Sequence, residues 1–87
     1  MMELRKIDPT KNMRRFYRLS VEPTLFGDYA LVRQWGRIGA KRGRTKEDWY
    51  SLEDEAHRAF SMAVSQRLKR SYQMEHKQIE RIKLPTS

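Results

Sequence analysis

Two stretches of two-residue alternation, followed by one apolar stripe at helical spacing, restrict this chain to a sheet that carries a single helix. Over residues 15–22, Tyr17, Leu19 and Val21 point one way while Arg18, Ser20 and Glu22 point the other, which is the pattern of a half-buried strand. Pro23-Thr24-Leu25-Phe26-Gly27-Asp28 ends that strand and returns the chain, with Leu25 and Phe26 expected to tuck under the loop. Residues 29–38 form a second long strand, 39–43 a turn, and 44–50 a third strand anchored by Trp49 as a structural ring. A short edge segment over 4–7 comes first and runs into the turn-rich Asp8-Pro9-Thr10-Lys11-Asn12. After the third strand, Ser51-Leu52-Glu53-Asp54 fits a helix-capping pattern with Ser51 as the cap. Ala56, Ala59, Phe60, Ala63, Val64 and Leu68 then recur on one helical face. Glu53, Asp54 and Glu55 crowd the positive end of the helix dipole, and Arg67, Lys69 and Arg70 the negative end. The expected architecture is α+β: a curved antiparallel sheet with one main helix packed on one face.

The core of such a fold is thin. Leu, Ile, Val and Phe make up 17 of 87 residues, against 34% charged, a balance close to the limit for a folded chain. Two Trp and four Tyr supply the missing apolar area. A chain this short buries only about 60% of the surface its unfolded form exposes, which leaves no room for an enclosed substrate cavity beside the core. One domain over residues 1–72 is expected, with 73–87 as a partly ordered C-terminal tail ending in Pro85-Thr86-Ser87.

Charge narrows the function. Nineteen basic residues against eleven acidic give +8, and a small basic protein seeks polyanions. With no cysteine there is no disulfide, thiolate zinc site or Cys nucleophile. His57 and His76 have no partner in a metal-binding spacing, so neither metal nor cofactor is expected. No serine falls in a triad motif, and Gly36-Arg37-Ile38-Gly39 lacks the Lys-Ser/Thr of a phosphate loop. No apolar run suggests a leader or a membrane span. The expectation is a non-catalytic cytoplasmic protein with no membrane partner and no small-molecule substrate.

The second strand is the most informative. By parity, Tyr29, Leu31, Arg33, Trp35 and Arg37 share one face and Ala30, Val32, Gln34, Gly36 and Ile38 the other. The smaller, more apolar second set is expected to meet the helix. That leaves Trp35 on the solvent side between Arg33 and Arg37. There it is either a structural ring or, as its cationic neighbours favour, a platform for a flat ring with guanidinium groups for phosphates. From Arg33 to Lys46, a window of 14 residues holds Arg33, Arg37, Lys41, Arg42, Arg44 and Lys46 and no acidic residue. Arg14, Arg15 and Arg18 are read as a polar strand face, at most a rim of that patch.

Trp35-Gly36-Arg37-Ile38-Gly39 resembles the signature of the WGR domain. The resemblance extends to the free-standing bacterial form of that domain through the segment from Asn12 to Leu19, Leu25-Phe26-Gly27, the segment from Leu31 to Gly39, and the helix closing on Lys69-Arg70-Ser71-Tyr72. It spans roughly Asp8 to Tyr72. WGR domains also occur in poly(ADP-ribose) polymerases that sense DNA breaks. The resemblance implies a module for duplex DNA, with 5′ ends or breaks as its finer target, Trp35 stacking on a terminal nucleotide and Arg37 facing the nearby phosphate; the charged strand adds Arg33 to that phosphate contact. Lys41, Arg42, Arg44 and Lys46 would neutralise the backbone. Gly36 would keep the strand flat and Gly39 would permit the turn. The same Trp35 and Arg37 surface also suits a protein partner, since Trp and Arg dominate hot spots. The chain departs from its relatives at Ser71, where Gly is usual, and it carries no transferase domain.

Overall fold

The Asp8-Pro9 turn sets the first strand pairing. In a computed structural model describing residues 1–74, the Asp8 carboxylate accepts from the Thr10 amide at 3.1 Å and the Thr10 hydroxyl at 2.6 Å. Pro9–Lys11 forms a single 3₁₀ turn, and Asn12 leaves it at φ 50°, the left-handed region that Asn tolerates. This hairpin joins β1 (Met2–Asp8) to β2 (Met13–Pro23). β3 (Tyr29–Arg37), β4 (Arg44–Tyr50), α1 (Glu53–Lys69) and the two-residue β5 (Gln73–Met74) follow. The strands form one antiparallel sheet in the order β4-β3-β2-β1-β5, and α1 packs against it, an α+β fold.

The helix covers the face opposite to the one its own strand suggested. Register places Leu4 beside Tyr17 and Tyr17 beside Trp35, and places Leu19 beside Arg33 and Val21 beside Leu31. These residues share a face, and Leu4, Tyr17 and Leu19 pack with Ala63, Val64 and Tyr72 in the core. Leu31 and Arg33 line one hollow with Ala59 and Ala63 of the helix. Apolar content summed over three strands therefore outweighs the two arginines that β3 contributes. Ala30, Val32 and Gln34 lie on the open face. Ala30 is buried there nevertheless, directly across from Trp49.

Several local expectations change with that reversal. Leu25 and Phe26 are 99% and 78% exposed, not tucked under their loop, and Trp49, expected as an anchor, is 50% exposed. The helix begins one residue later than expected. Leu52 is its N-cap without a side-chain cap, and its carbonyl accepts from the Ala56 amide at 3.3 Å. Glu53, Asp54 and Glu55 occupy the first turn, at the positive end of the helix dipole. At the other end, Leu68 is exposed and Arg67 takes its place on the packed face.

The chain leaves the helix through Ser71, at φ 70°. The Ser71 amide donates to the Leu68 carbonyl and the Tyr72 amide to the Arg67 carbonyl, both at 3.1 Å, the paired bonds of a Schellman ending. Tyr72 turns into the core, and β5 pairs with β1 through Leu4 and Arg5. Gln73 and Met74, the first residues of the expected partly ordered tail, thus add a strand to the sheet. The rest of the expected tail, with His76, lies outside the described residues. No helix among the described residues is long and apolar enough to cross a membrane.

Candidate nucleic-acid interface

Trp35 sits on the helix side of the sheet but beyond the point where α1 ends. Its ring stacks on Tyr17 with centroids 6.1 Å apart and planes at 30°. Tyr17 in turn meets Tyr72 edge-on at 6.3 Å. Arg67, on the last turn of α1, lays its guanidinium 4.1 Å from the Tyr17 ring centre and 5.5 Å from that of Tyr72. Two aromatic faces and the negative end of the helix dipole hold this cation in place.

A cleft of about 500 Å³ opens over these rings. Trp35, Gly36 and Arg37 from the end of β3 form one wall. Arg14 and Arg15 from the start of β2, with Lys11 and Asn12 of the 3₁₀ turn, form another, and Arg67 and Tyr72 close it. Among the described residues, five cations and no acidic residue line the cleft. The pairing of Arg15 directly with Arg37 concentrates that charge at one sheet end. Like charges directly opposite each other destabilise a bare sheet, an arrangement that an anion between them would relieve.

The structure divides the other expected site residues among several places. Arg33 lies under the helix, and its Nη2 donates to Asp48 Oδ2 at 2.7 Å. Burial works against its charge, but hydrogen bonding with Tyr17 and the charge of Asp48 outweigh it and raise its pKa above the usual arginine value. Its charge is thus engaged within the fold. Lys41 and Arg44 line a separate hollow of about 270 Å³ on the open face with Arg5, Phe16 and Arg18. Arg42 is exposed in the turn before β4, and Lys46 is exposed on β4 beside Arg33.

The glycines explain how that turn comes so near Trp35. Gly39 has φ 86°, a conformation open to glycine at no steric cost. A Cβ on Gly43 would stand 2.6 Å from the Trp35 carbonyl oxygen, and one on Gly36 would stand 3.1 Å from Gly43 Cα. Gly36 and Gly43 therefore allow two backbones to approach beneath the signature tryptophan.

Nothing in the sequence marked Lys11, Arg67 and Tyr72 as cleft residues, and sequence reasoning placed Arg14 and Arg15 at most on the rim of the patch, whereas the structure sets them in the cleft wall. For Arg15 a signal was available: counting back from the β2–β3 turn pairs residue 15 with 37. For Arg67 none was, because its position depends on where the helix crosses the sheet. Among the described residues no group of His, Cys, Asp and Glu is arranged to hold a metal ion. Cations around stacked rings can neutralise and stack on a ligand.

A family model described as WGR domain matches residues 1–79. The uncharacterized protein y4dW of Sinorhizobium fredii is 45% identical over 67 residues, which cover 77% of this chain and 32% of that protein. The chain thus spans about a third of the length of this curated relative. No solved structure matches it.

Proposed function

This chain belongs to the WGR domain family, a non-catalytic domain linked to nucleic-acid interaction in poly(ADP-ribose) polymerases, and we propose that it binds double-stranded DNA, with a preference for ends, through the Trp35 cleft. The observation that carries this reading is the acid-free lining of that cleft, where Arg37, Arg14, Arg15, Lys11 and Arg67 surround a partly exposed tryptophan. Phosphates would sit among the guanidinium groups, which bind them bidentately. A terminal base or sugar would lie on Trp35, whose other side is supported by Tyr17. Lys41, Arg42, Arg44 and Lys46 would engage phosphates farther along the duplex.

The test is a salt titration of binding to a short blunt duplex beside the same duplex closed by hairpins at both ends. Wild type should favour the open duplex, and Arg37→Ala and Trp35→Ala should remove that preference. Affinity should fall steeply with salt, by roughly 0.9 log units per log unit of salt for each phosphate engaged. Equal affinity for both duplexes would leave DNA binding and remove end recognition. Salt-insensitive binding to a protein, with no binding to either duplex, would move the reading to a protein partner at the same Trp35 and Arg37 surface.

A further inference from the structure

The face of the sheet opposite α1 has a charge order of its own. Arg18, Gln34 and Thr45 lie side by side across β2, β3 and β4, with Glu3 next to Arg18 on β1. Glu3 accepts from Arg18 Nε at 2.7 Å and from Arg5 Nη2 at 3.2 Å, so the Arg18 charge of this middle row is paired within the chain. Four residues along β2 in one direction stands Glu22, in a row with Ala30 and Trp49. Glu47 flanks that row and accepts from Trp49 Nε1 at 3.3 Å. Four residues in the other direction stands Arg14, beside Ile38 and the turn that carries Lys41. The face is anionic at one end, cationic at the other, and symmetric in spacing about its middle row.

The anionic end is also apolar. Phe26 and Trp49 lie with ring centres 6.1 Å apart and are 78% and 50% exposed. An exposed aromatic pair marks a contact surface. Glu22 and Glu47 beside it, with Asp28 in the adjoining loop, would repel the polyanion proposed for the cleft. Its occupant must instead bring cations spaced to match.

We infer that this open face docks on the same face of a second copy of the chain. For two faces to meet, the twofold axis must lie in the plane between them. An axis along the strands would stack Arg14 on Arg14 and Glu22 on Glu22. An axis across the strands, along the row of Arg18, Gln34 and Thr45, sets Arg14 of each copy against Glu22 of the other. It also brings Trp49 and Glu47 of each over the Ile38 and Lys41 end of the other. Of these two arrangements charge favours the second, in which Arg18 meets its own copy only as part of its ion pair with Glu3, and that arrangement covers the aromatic pair. Trp35, Arg15, Arg37 and Arg67 stay uncovered on the two outer sides, while Arg14 and Lys41, at the shared sheet end, are contested between the second copy and a duplex.

Sedimentation of the 87-residue chain at about 100 µM, a concentration that populates even weak interfaces of standard size, tests this directly. Wild type should sediment as a dimer. Glu22→Arg and Arg14→Glu should each be monomeric, because each single change sets like charges against each other at both contacts. Mixed in equal amounts, the two variants should form a heterodimer, since each contact then pairs one arginine with one glutamate. Both positions are exposed, and matching far-UV circular dichroism will show that both variants fold. A monomeric wild type would overturn the proposal and leave the face to a different protein. Dimeric single variants, or a mixture that stays monomeric, would overturn it equally.

Discussion

The indole of Trp35 rests on Tyr17 and also lines the cleft, so truncating it acts twice. Trp35→Ala should lower stability by roughly 2 kcal/mol, less than the 3–5 of a fully buried ring. It should also weaken duplex binding by about 1–3 kcal/mol. Urea unfolding beside binding separates the two losses, and Trp35→Phe should recover more of the first than of the second. Ser71 holds φ 70° where a side chain costs about 1–2 kcal/mol. Ser71→Gly should therefore raise the urea midpoint, by the equivalent of about 1 kcal/mol, and leave DNA binding unchanged. Gly43→Ala should do the reverse, because the new Cβ meets a backbone oxygen at 2.6 Å. A loss of about 1–3 kcal/mol is expected, and an unchanged midpoint would show that the turn can move away from Trp35.

At the scale of elements, the last turn of α1 links the core to the cleft. Arg67 occupies an apolar stripe position, yet its guanidinium spans Tyr17 and Tyr72. Its stem packs while its head stays charged, as long basic side chains do. Arg67→Met keeps the stem and removes the charge. It should cost little stability and reduce the salt slope of DNA binding by about one, read from affinities at three or more salt concentrations. A fall in stability with an unchanged slope would place Arg67 in the core alone. The Schellman ending matters for the same reason, because it turns Tyr72 back against Tyr17.

At the scale of the whole fold, charge among the described residues is sorted rather than spread. The cations of the cleft gather where β2 begins and β3 ends, while Glu22, Asp28, Glu47 and the first turn of α1 carry carboxylates toward the other end. Such polarity orients a protein in the field of a polyanion before contact. Association with duplex DNA should accordingly accelerate as ionic strength falls, while dissociation changes less. Stopped-flow rates at two salt concentrations would show it, and an on-rate indifferent to salt would argue against the cleft as the entry point.

The three long strands, the turns between them, the helix and the Trp35–Arg37 signature were legible along the chain, because each depends on a period, a breaker or a short motif; the order of the strands and the pairing of β5 were not. Alternation in β2 marked Tyr17 and Leu19 as inward, and both are buried. The face of β3 that meets the helix was not legible. Its own residues favoured the Ala30 and Val32 side, and only the register to β2 and β1 puts Leu31 and Trp35 beside Tyr17, Leu19 and Leu4. Burial is a sum over neighbours, so a strand taken alone does not choose its side. The same holds for the cleft. Arg14, Arg15 and Arg67 are far apart in sequence from Trp35 and meet it only through strand pairing and the crossing of the helix. The sequence by itself determined the kind of chemistry, cations beside an aromatic ring. The tertiary structure decided which cations stand around that ring, and it committed Arg33, two residues away, to Asp48 instead.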